Sequence, residues 1–181
     1  MTRILIVGAG HASAQLCASL REQGHEGPIT LVGEEPHLPY HRPPLSKTFV
    51  KDPEAELTPI RAAAWYAGQG VATRLGERVV AIHRDAREIE LAGGERIGYD
   101  VLVLATGARA KRLPGLDGMS NVLLLRAAAD ASALREAISR IERITVVGGG
   151  FIGLEIAASA RALGRTVRVI EMAPRLLARA V

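Results

Sequence analysis

Short apolar runs and amphipathic stretches alternate along the chain, an order typical of a parallel sheet with crossover helices. Four runs have the length and the β-branched content of buried parallel strands: 4–7, 29–32, 144–147 and 166–170. Apolar positions at helical spacing predict helices over 12–23 and 151–163, each between two of these runs. The pattern therefore predicts an α/β fold that contains two similar strand–helix–strand units.

The middle of the chain has a different pattern. A helix is predicted over 59–69, with Ile60, Ala64 and Trp65 facing the core. Three short runs predict an antiparallel meander, turned by Gly93–Gly94: 78–85, 87–91 and 95–98.

Turn-forming residues at 113–118 mark the predicted domain boundary. Before this turn, the apolar segment 99–104 predicts a buried strand. After it, 130–143 has the pattern of an amphipathic helix that leads into the second unit. We therefore predict a first domain at 1–112 and a second domain at 113–181.

A glycine-rich turn joins the first strand and the helix of each unit. Gly8–Ser13 and Gly148–Gly153 both fit the G-x-G-x-x-G pattern of dinucleotide-binding turns. The first glycine permits the tight turn, and the second lets the backbone approach a pyrophosphate that the helix N-terminus attracts. Ser13 stands where Gly or Ala is usual, but it is small enough for the helix and the strand to touch.

An acidic residue follows the second strand of each unit. Glu34 and Glu171 are placed to accept hydrogen bonds from the ribose hydroxyls of an adenosine. Glu35 is the alternative ribose acceptor. If Glu34 does not bind the ribose, it is a solvated acid at the end of the strand. Glu171 would repel a 2′-phosphate, which predicts a preference for NADH, although Arg175 leaves tolerance of NADPH open.

Two nucleotide-binding motifs in one chain indicate more about the function than either motif alone. A protein that holds two redox dinucleotides is most simply one that passes electrons between them. The duplication therefore predicts a flavoprotein that takes hydride from a nicotinamide.

Composition narrows the class of protein. With 48% hydrophobic residues among 181, the chain can bury a substantial core. No apolar run approaches the roughly 20 residues that span a bilayer, and no signal peptide is evident, so no membrane association and a cytoplasmic location are predicted. Cys17 lies on the apolar face of the first predicted helix, where we expect a core residue. No metal site is expected, because prolines exclude a helix that would align His37 with His41.

The net charge of +4 comes mostly from arginines spread along the chain. They are not interleaved with aromatic residues, which argues against a nucleic-acid partner. Two interpretations stay open: a solvated surface, or a surface that faces an acidic protein partner.

With these motifs the chain resembles the FAD-dependent pyridine nucleotide oxidoreductases, which share the two-dinucleotide-domain fold of glutathione reductase. The resemblance rests on the first glycine turn with Glu34, the segment Asp100–Gly107 that ends in Ala-Thr-Gly, and the second turn with Glu171. It implies parallel sheets with helices on both faces plus a small antiparallel meander, truncated in the second domain.

A more specific resemblance lies in Leu38–Lys47, which reads Leu-Pro-Tyr-His-Arg-Pro-Pro-Leu-Ser-Lys. It is similar to the flavin-side loop of the ferredoxin reductases of oxygenase and cytochrome P450 systems. The stretch 36–47 contains none of the cysteines that disulfide reductases carry beside the flavin. Electrons therefore cannot leave through a thiol at that place, which favours direct transfer from the flavin.

The resemblance also implies site residues. FAD contacts are expected from the first glycine turn and the loops around it: Gly8, Gly10, Ala12, Ser13, Glu34, Arg42, Lys47, Val79, Ala105, Thr106, Gly107 and Arg126. The nicotinamide dinucleotide is expected at the second turn: Gly148, Gly150, Phe151, Ile152, Gly153 and Glu171.

Lys47 and Glu155 resemble the ion pair that the family places near the flavin N5 edge. The cation would stabilise an anionic reduced flavin, and the carboxylate would hold the lysine in place. The plainer alternatives are a flexible loop cation for Lys47, a first-turn helix acid for Glu155 and a surface position for Arg126.

The resemblance implies an NADH-dependent ferredoxin reductase. Hydride would pass from NADH to FAD, and single electrons would then pass to a ferredoxin or a rubredoxin-type iron–sulfur protein. The alternatives are another cysteine-free FAD/NADH oxidoreductase, similar to apoptosis-inducing factor, or an inactive nucleotide-binding fragment. In the family the nicotinamide domain continues past its second strand, whereas this sequence stops at Val181, so we expect little turnover from this chain alone.

Overall fold

The computed structural model describes residues 1–116 and 118–178, so Asp117 of the predicted boundary turn and residues 179–181 lie outside the described residues. The strands are β1 Ile4–Val7, β2 Ile29–Gly33, β3 Val71–Leu75, β4 Val79–His83, β5 Glu88–Leu91, β6 Arg96–Gly98, β7 Val101–Leu104, β8 Arg143–Val147 and β9 Thr166–Ile170. The helices are α1 His11–Glu22, α2 Thr48–Lys51, α3 Ala63–Gly68, α4 Ala128–Arg140 and α5 Phe151–Ala162, and a 3₁₀ turn spans Pro43–Ser46.

The chain packs into two compact units. The first comprises Met1–His41 and Thr58–Ala108, and the second comprises Arg42–Leu57 and Arg109–Val181. The loop with the Arg-Pro-Pro-Leu-Ser-Lys sequence thus packs with the second unit, although it lies inside the predicted first domain 1–112. Which nucleotide each unit serves stays a prediction.

A four-stranded parallel sheet in the order β3-β2-β1-β7 organises the first unit. Alternate residues of β1 face opposite sides. Ile4 and Ile6 belong to a buried cluster with residues of α1 and α3, whereas Leu5 and Val7 pack with the antiparallel meander β4-β5-β6. Because successive side chains of a strand point to opposite faces, β1 is buried on both sides and the carboxyl end of the sheet stays accessible.

The second unit contains a parallel pair of strands, β8 and β9, joined through α5. Its core includes Leu134 and Ile138 of α4, Ile156 of α5 and Val50 of α2. Val50 is only 1% exposed, so the short helix that follows Lys47 is anchored in this core.

Three expectations about local structure were wrong. The helix expected over 59–69 is restricted to Ala63–Gly68, because Pro59 forms an antiparallel bridge with Tyr40 and the Ile60 amide bonds to the Pro39 carbonyl. Ala64, expected in the core, is exposed, and Tyr66 is the buried residue of this helix.

The segment expected as a buried strand, 99–104, is shorter and less buried. Within the described residues β7 pairs with β1 alone, so it lies at an edge of the sheet. Val101 and Leu104 are consequently 44% and 59% exposed. Strand β3 was not predicted at all, since Thr73 and Arg74 interrupt the apolar residues of Val71–Leu75 and the strand owes its place to pairing with β2.

Candidate functional site

The first glycine turn lies at the carboxyl end of β1, and its geometry requires glycine. Gly8 has φ of 110°, and a Cβ at this position would overlap the backbone carbonyl of Ala105. The Gly8 amide donates to the Val32 carbonyl over 2.8 Å, which ties the turn to β2. The structure therefore brings the first glycine turn and the Ala105–Gly107 segment into direct backbone contact at Gly8, where only glycine fits.

Ser13 occupies the third small-residue position and adds a hydrogen-bonded cap. It is completely buried; its hydroxyl accepts the Gly10 amide over 2.8 Å and donates to the Gly10 carbonyl over 3.0 Å. This pairing fixes the turn at the start of α1, where amide groups of the first helical turn point outward. Ala12, beside it, is exposed.

Glu34 and Val79 lie near the same end of the sheet. Gly33 packs against Ala9 of the glycine turn, and Glu34 follows it, exposed and 3.7 Å from the guanidinium of Arg78. Val79 begins β4 and packs on the side of the sheet that the meander covers. Glu35, the alternative acid, instead accepts a 2.7 Å hydrogen bond from the Tyr40 hydroxyl.

After β7, the segment Ala105–Gly107 turns sharply. Thr106 and Gly107 are exposed, and Gly107 has φ of 70°, a conformation that favours glycine. In the first unit, the structure thus gathers these predicted site residues at one end of the parallel sheet: Gly8, Gly10, Ala12, Ser13, Glu34, Ala105, Thr106 and Gly107.

The predicted ion pair is present in the second unit. The Lys47 ammonium lies 3.2 Å from Glu155 Oε1, and the two side chains are 53% and 30% exposed. Lys47 ends the 3₁₀ turn, and Glu155 lies on the first turns of α5. Arg42, at the start of that 3₁₀ turn, donates to the Arg126 carbonyl over 2.8 Å.

Ser46 is a residue that the sequence analysis missed. Its hydroxyl donates to Glu155 Oε2, and its own carbonyl accepts a 2.9 Å hydrogen bond from the buried Ser159 hydroxyl. The Ser46 hydrogen bond is the largest cause that holds the pKa of Glu155 below its usual range; burial opposes the shift, and Lys47 adds to it. Only the position of Ser46 beside Lys47 in the sequence pointed to it.

The second glycine turn has the same construction as the first. Gly148 has φ of 106°, and its amide donates to the Ile170 carbonyl over 2.8 Å. A Cβ at Gly153 would overlap the Gly148 carbonyl, so α5 approaches the turn as closely as the motif requires. Gly150 precedes α5 as its cap, and Phe151 and Ile152 are 62% and 55% exposed beside it.

Glu171 does more than follow the last strand. One carboxylate oxygen accepts the Gly149 amide over 2.7 Å, and the other accepts the Ala173 amide over 2.9 Å. The Leu177 amide donates to the Gly149 carbonyl over 2.9 Å. The loop after β9 therefore bonds to both the amide and the carbonyl of Gly149. The motif alone did not indicate this role.

Cys17 is fully buried in α1, and burial raises the pKa of its thiol to about 11. A thiol in that state is a poor nucleophile. Among residues 1–116 and 118–178, no group of three or more metal-binding side chains lies close enough to hold an ion. Within the same residues, no helix combines the length and the apolar character needed to cross a membrane.

The comparison with protein families agrees with this architecture. The model of the pyridine nucleotide-disulphide oxidoreductase family matches residues 2–181, and the chain belongs to that family. Its curated relatives include ferredoxin reductases. The ferredoxin–NAD(+) reductase component of an anthranilate 1,2-dioxygenase system from Burkholderia cepacia is 46% identical over 98% of this chain and 44% of the relative. Rhodocoxin reductase from Rhodococcus erythropolis is 43% identical over 98% of this chain and 42% of the relative.

Solved structures confirm the fold class. A ferredoxin reductase for the CYP199A2 system from Rhodopseudomonas palustris matches with a TM-score of 0.92 and 42% identity, over 100% of this chain and 45% of that one. The reductase in a covalent putidaredoxin reductase–putidaredoxin complex matches with a TM-score of 0.90 and 37% identity, over 99% and 44% of the two chains. The chain thus spans less than half the length of these proteins.

Proposed function

We propose that this chain forms the FAD-binding and NADH-binding part of an NADH-dependent ferredoxin reductase. The observation that carries the proposal is the presence of two dinucleotide turns in one chain, each of which opens with a glycine whose φ lies above 100° and favours glycine. Family membership and the names of the relatives support the same class of reaction.

The first turn fits the adenosine and pyrophosphate of FAD. Gly10 carries no side chain and nothing lies within 4 Å of the place a Cβ would take there, so a pyrophosphate can approach the backbone at the N-terminus of α1. Glu34 is the proposed ribose acceptor of the two neighbouring acids, because it is exposed directly after Gly33, whereas Glu35 is half-buried and accepts the Tyr40 hydroxyl. By resemblance, Arg42, Lys47, Val79 and Arg126 complete the FAD contacts.

The second turn fits the adenosine end of NADH. Glu171 lies against Gly149 and places its negative charge where a 2′-phosphate would have to bind. We infer a preference for NADH over NADPH, with Gly148, Gly150, Phe151, Ile152 and Gly153 supporting the nucleotide. Arg175 is exposed on the following loop and leaves a limited tolerance of NADPH open.

Bound FAD would supply the chemistry, accepting a hydride and releasing single electrons. The residues of this chain would position the FAD and determine the electrostatic field around it. Lys47, held by Glu155, would bring a positive charge to the reactive edge of the flavin, where reduction adds negative charge. No cysteine lies in 36–47 and Cys17 is buried, so electrons would leave the flavin without a thiol relay.

The proposed acceptor is a small acidic iron–sulfur protein, a ferredoxin or a rubredoxin. The net charge of +4 would speed its encounter with such a partner. Names of the relatives point the same way, since they include ferredoxin–NAD(+) reductase components and a rubredoxin–NAD(+) reductase.

Absorbance and steady-state kinetics test the proposal on FAD-loaded protein that contains this chain together with the remaining length of its relatives, because little turnover is expected from this chain alone. We expect flavin absorbance in the purified protein, bleaching by NADH, and NADH-dependent reduction of ferredoxin. Ferricyanide serves as a control acceptor. Reduction of ferricyanide without reduction of ferredoxin would indicate another flavin oxidoreductase. Nucleotide binding without turnover would indicate a binding module. Either result would contradict the proposal.

A further inference from the structure

Two buried serines fasten the turn that carries Lys47 to α5. Ser46 and Ser159 are each only 4% exposed. The Ser159 hydroxyl donates to the Ser46 carbonyl over 2.9 Å, and the Ser46 hydroxyl donates to Glu155 Oε2. Because buried hydroxyl groups without a partner are costly, both serines are committed to these contacts.

The Glu155 carboxylate is therefore held from two sides. Ser46 occupies Oε2, and the Lys47 ammonium lies 3.2 Å from Oε1. Lys47 itself is 53% exposed and has a long flexible stem, so on its own its ammonium would sample many rotamers. A carboxylate whose plane is fixed by a buried donor restricts where that ammonium can lie.

We propose that Ser46 is a positioning residue, whose hydroxyl aims the Glu155 carboxylate at the Lys47 ammonium and so fixes the charge that Lys47 brings to the flavin. The inference rests on the proposed function, because the role of the ammonium is defined there. Ser159 supports the same arrangement by holding the backbone of Ser46.

The direction of the Glu155 shift agrees with this geometry. The pKa of Glu155 lies below its ordinary value of 4.5, and the Ser46 hydrogen bond is the largest single cause, to which Lys47 adds. The titration of Glu155 therefore tests whether Ser46 donates to the carboxylate, and the rate of flavin reduction tests whether that hydrogen bond positions Lys47.

The first experiment follows the side-chain carboxyl of Glu155 by ¹³C NMR as a function of pH in this chain. The variants are Ser46→Ala, Lys47→Met and, as a matched control, Ser139→Ala, which removes an exposed hydroxyl bonded to a backbone carbonyl elsewhere in the same unit. We expect Ser46→Ala and Lys47→Met each to raise the pKa of Glu155, and Ser139→Ala to leave it unchanged.

Equal titration of Glu155 in Ser46→Ala and in the parent would overturn the proposal. If Ser46→Ala does not fold, two results still decide. Ser46→Thr keeps the hydroxyl and should titrate like the parent, and a parent Glu155 that titrates at or above 4.5 contradicts the proposal by itself.

The second experiment measures flavin reduction by NADH in the FAD-loaded protein. Ser46→Ala should slow it roughly tenfold with the bound FAD unchanged, and Ser46→Thr should restore it. Reduction at the parent rate in Ser46→Ala would overturn the proposal. Failure of the parent to bind FAD would instead contradict the proposed function, and the NMR titration would still decide the role of Ser46.

Discussion

At the scale of single residues, the Lys47–Glu155 pair is the centre of the proposed chemistry. Lys47 lies 3.2 Å from Glu155 and belongs to no part of either glycine turn. Lys47→Met should therefore leave FAD bound but slow its reduction by NADH, by roughly 10- to 100-fold, because it removes a cation from a site of developing negative charge. Stopped-flow bleaching of the flavin measures the rate.

Lys51→Met is the matched control, since Lys51 ends the neighbouring α2 and makes no part of the pair. It should be reduced at the parent rate. Reduction of Lys47→Met at that same rate would remove Lys47 from the chemistry.

Glu171 decides the choice of nicotinamide cofactor in this proposal. Its carboxylate lies 2.7 Å from the Gly149 amide, within the proposed nucleotide site. Glu171→Ala should narrow the ratio of kcat/KM for NADH over NADPH roughly tenfold, because it removes the negative charge that opposes a 2′-phosphate. Since the same carboxylate also binds the Ala173 amide, kcat/KM for NADH should fall as well.

Glu142→Ala removes an exposed acid just before β8 and serves as the control. Its cofactor ratio should match that of the parent. An unchanged ratio in Glu171→Ala would exclude Glu171 from the site.

The sequence predicted the positions of these residues better than their partners. The spacing of the motifs placed Glu171 at the end of β9, but its bonds to Gly149 and Ala173 depend on the path of the following loop. Ser46 was missed for a related reason. A serine acquires its role from a carboxylate 109 residues away, and no local pattern encodes that contact.

At the scale of elements, an ion pair between Arg3 and Asp100 connects the starts of β1 and β7. The Arg3 guanidinium lies 3.0 Å from Asp100 Oδ1, and the Arg3 amide donates to Asp100 Oδ2 over 2.7 Å. These contacts stand directly before the paired residues Ile4 and Val101 and so help to set the register of the two strands.

This contact predicts an acid dependence of stability. The Arg3 side-chain hydrogen bond, with its amide, lowers the pKa of Asp100 from 3.8 to about 2. Because the folded value is the lower one, the stabilisation is complete above pH 3.8 and is lost as the pH falls towards 2. Asp100→Asn should unfold at lower urea than the parent at pH 7, and the difference should shrink between pH 4 and pH 2.

Far-UV circular dichroism during urea unfolding provides the measurement. Asp85→Asn, an exposed change in the turn between β4 and β5, is the control and should follow the parent at every pH. A difference between Asp100→Asn and the parent that is as large at pH 2 as at pH 7 would contradict the assigned role.

The alternation of apolar runs predicted most elements of both units, because buried parallel strands and their helices carry strong local patterns. β1 and β9 were predicted to the residue, and the meander was predicted with its antiparallel order. β3 was not predicted because it forms a strand through its pairing with β2, and its own residues carry no continuous apolar run. The early part of the predicted helix 59–69 failed because this stretch pairs with 39–41 instead, through hydrogen bonds from the His41 amide to the Thr58 carbonyl and from the Ile60 amide to the Pro39 carbonyl.

At the scale of the whole molecule, chain order and packing differ. Residues Arg42–Leu57 interrupt the first unit in sequence yet pack with the second, where Val50 is buried beside α4 and α5. A linear division at 112 could not show this, because the contacts that decide it connect Val50 with residues more than 80 positions away. The two glycine turns, however, could be assigned to separate units from sequence alone.

The central claim is that one chain carries two separate dinucleotide sites. Isothermal titration calorimetry tests this claim most directly. FAD and NADH are titrated separately into the parent, Gly8→Ala and Gly148→Ala. Both glycines have φ above 100°, so an alanine is strained at either place, and at Gly8 its Cβ would also overlap Ala105. Gly93→Ala, at an open turn position where a Cβ meets nothing within 4 Å, is the control.

We expect Gly8→Ala to lose FAD binding and keep NADH binding, Gly148→Ala to do the reverse, and Gly93→Ala to bind both like the parent. Retention of the other nucleotide also shows that the unit without the substitution has folded. If one substitution abolished binding of both nucleotides while the other affected neither, or if the parent bound only one of the two, the proposal of two separate sites would be wrong.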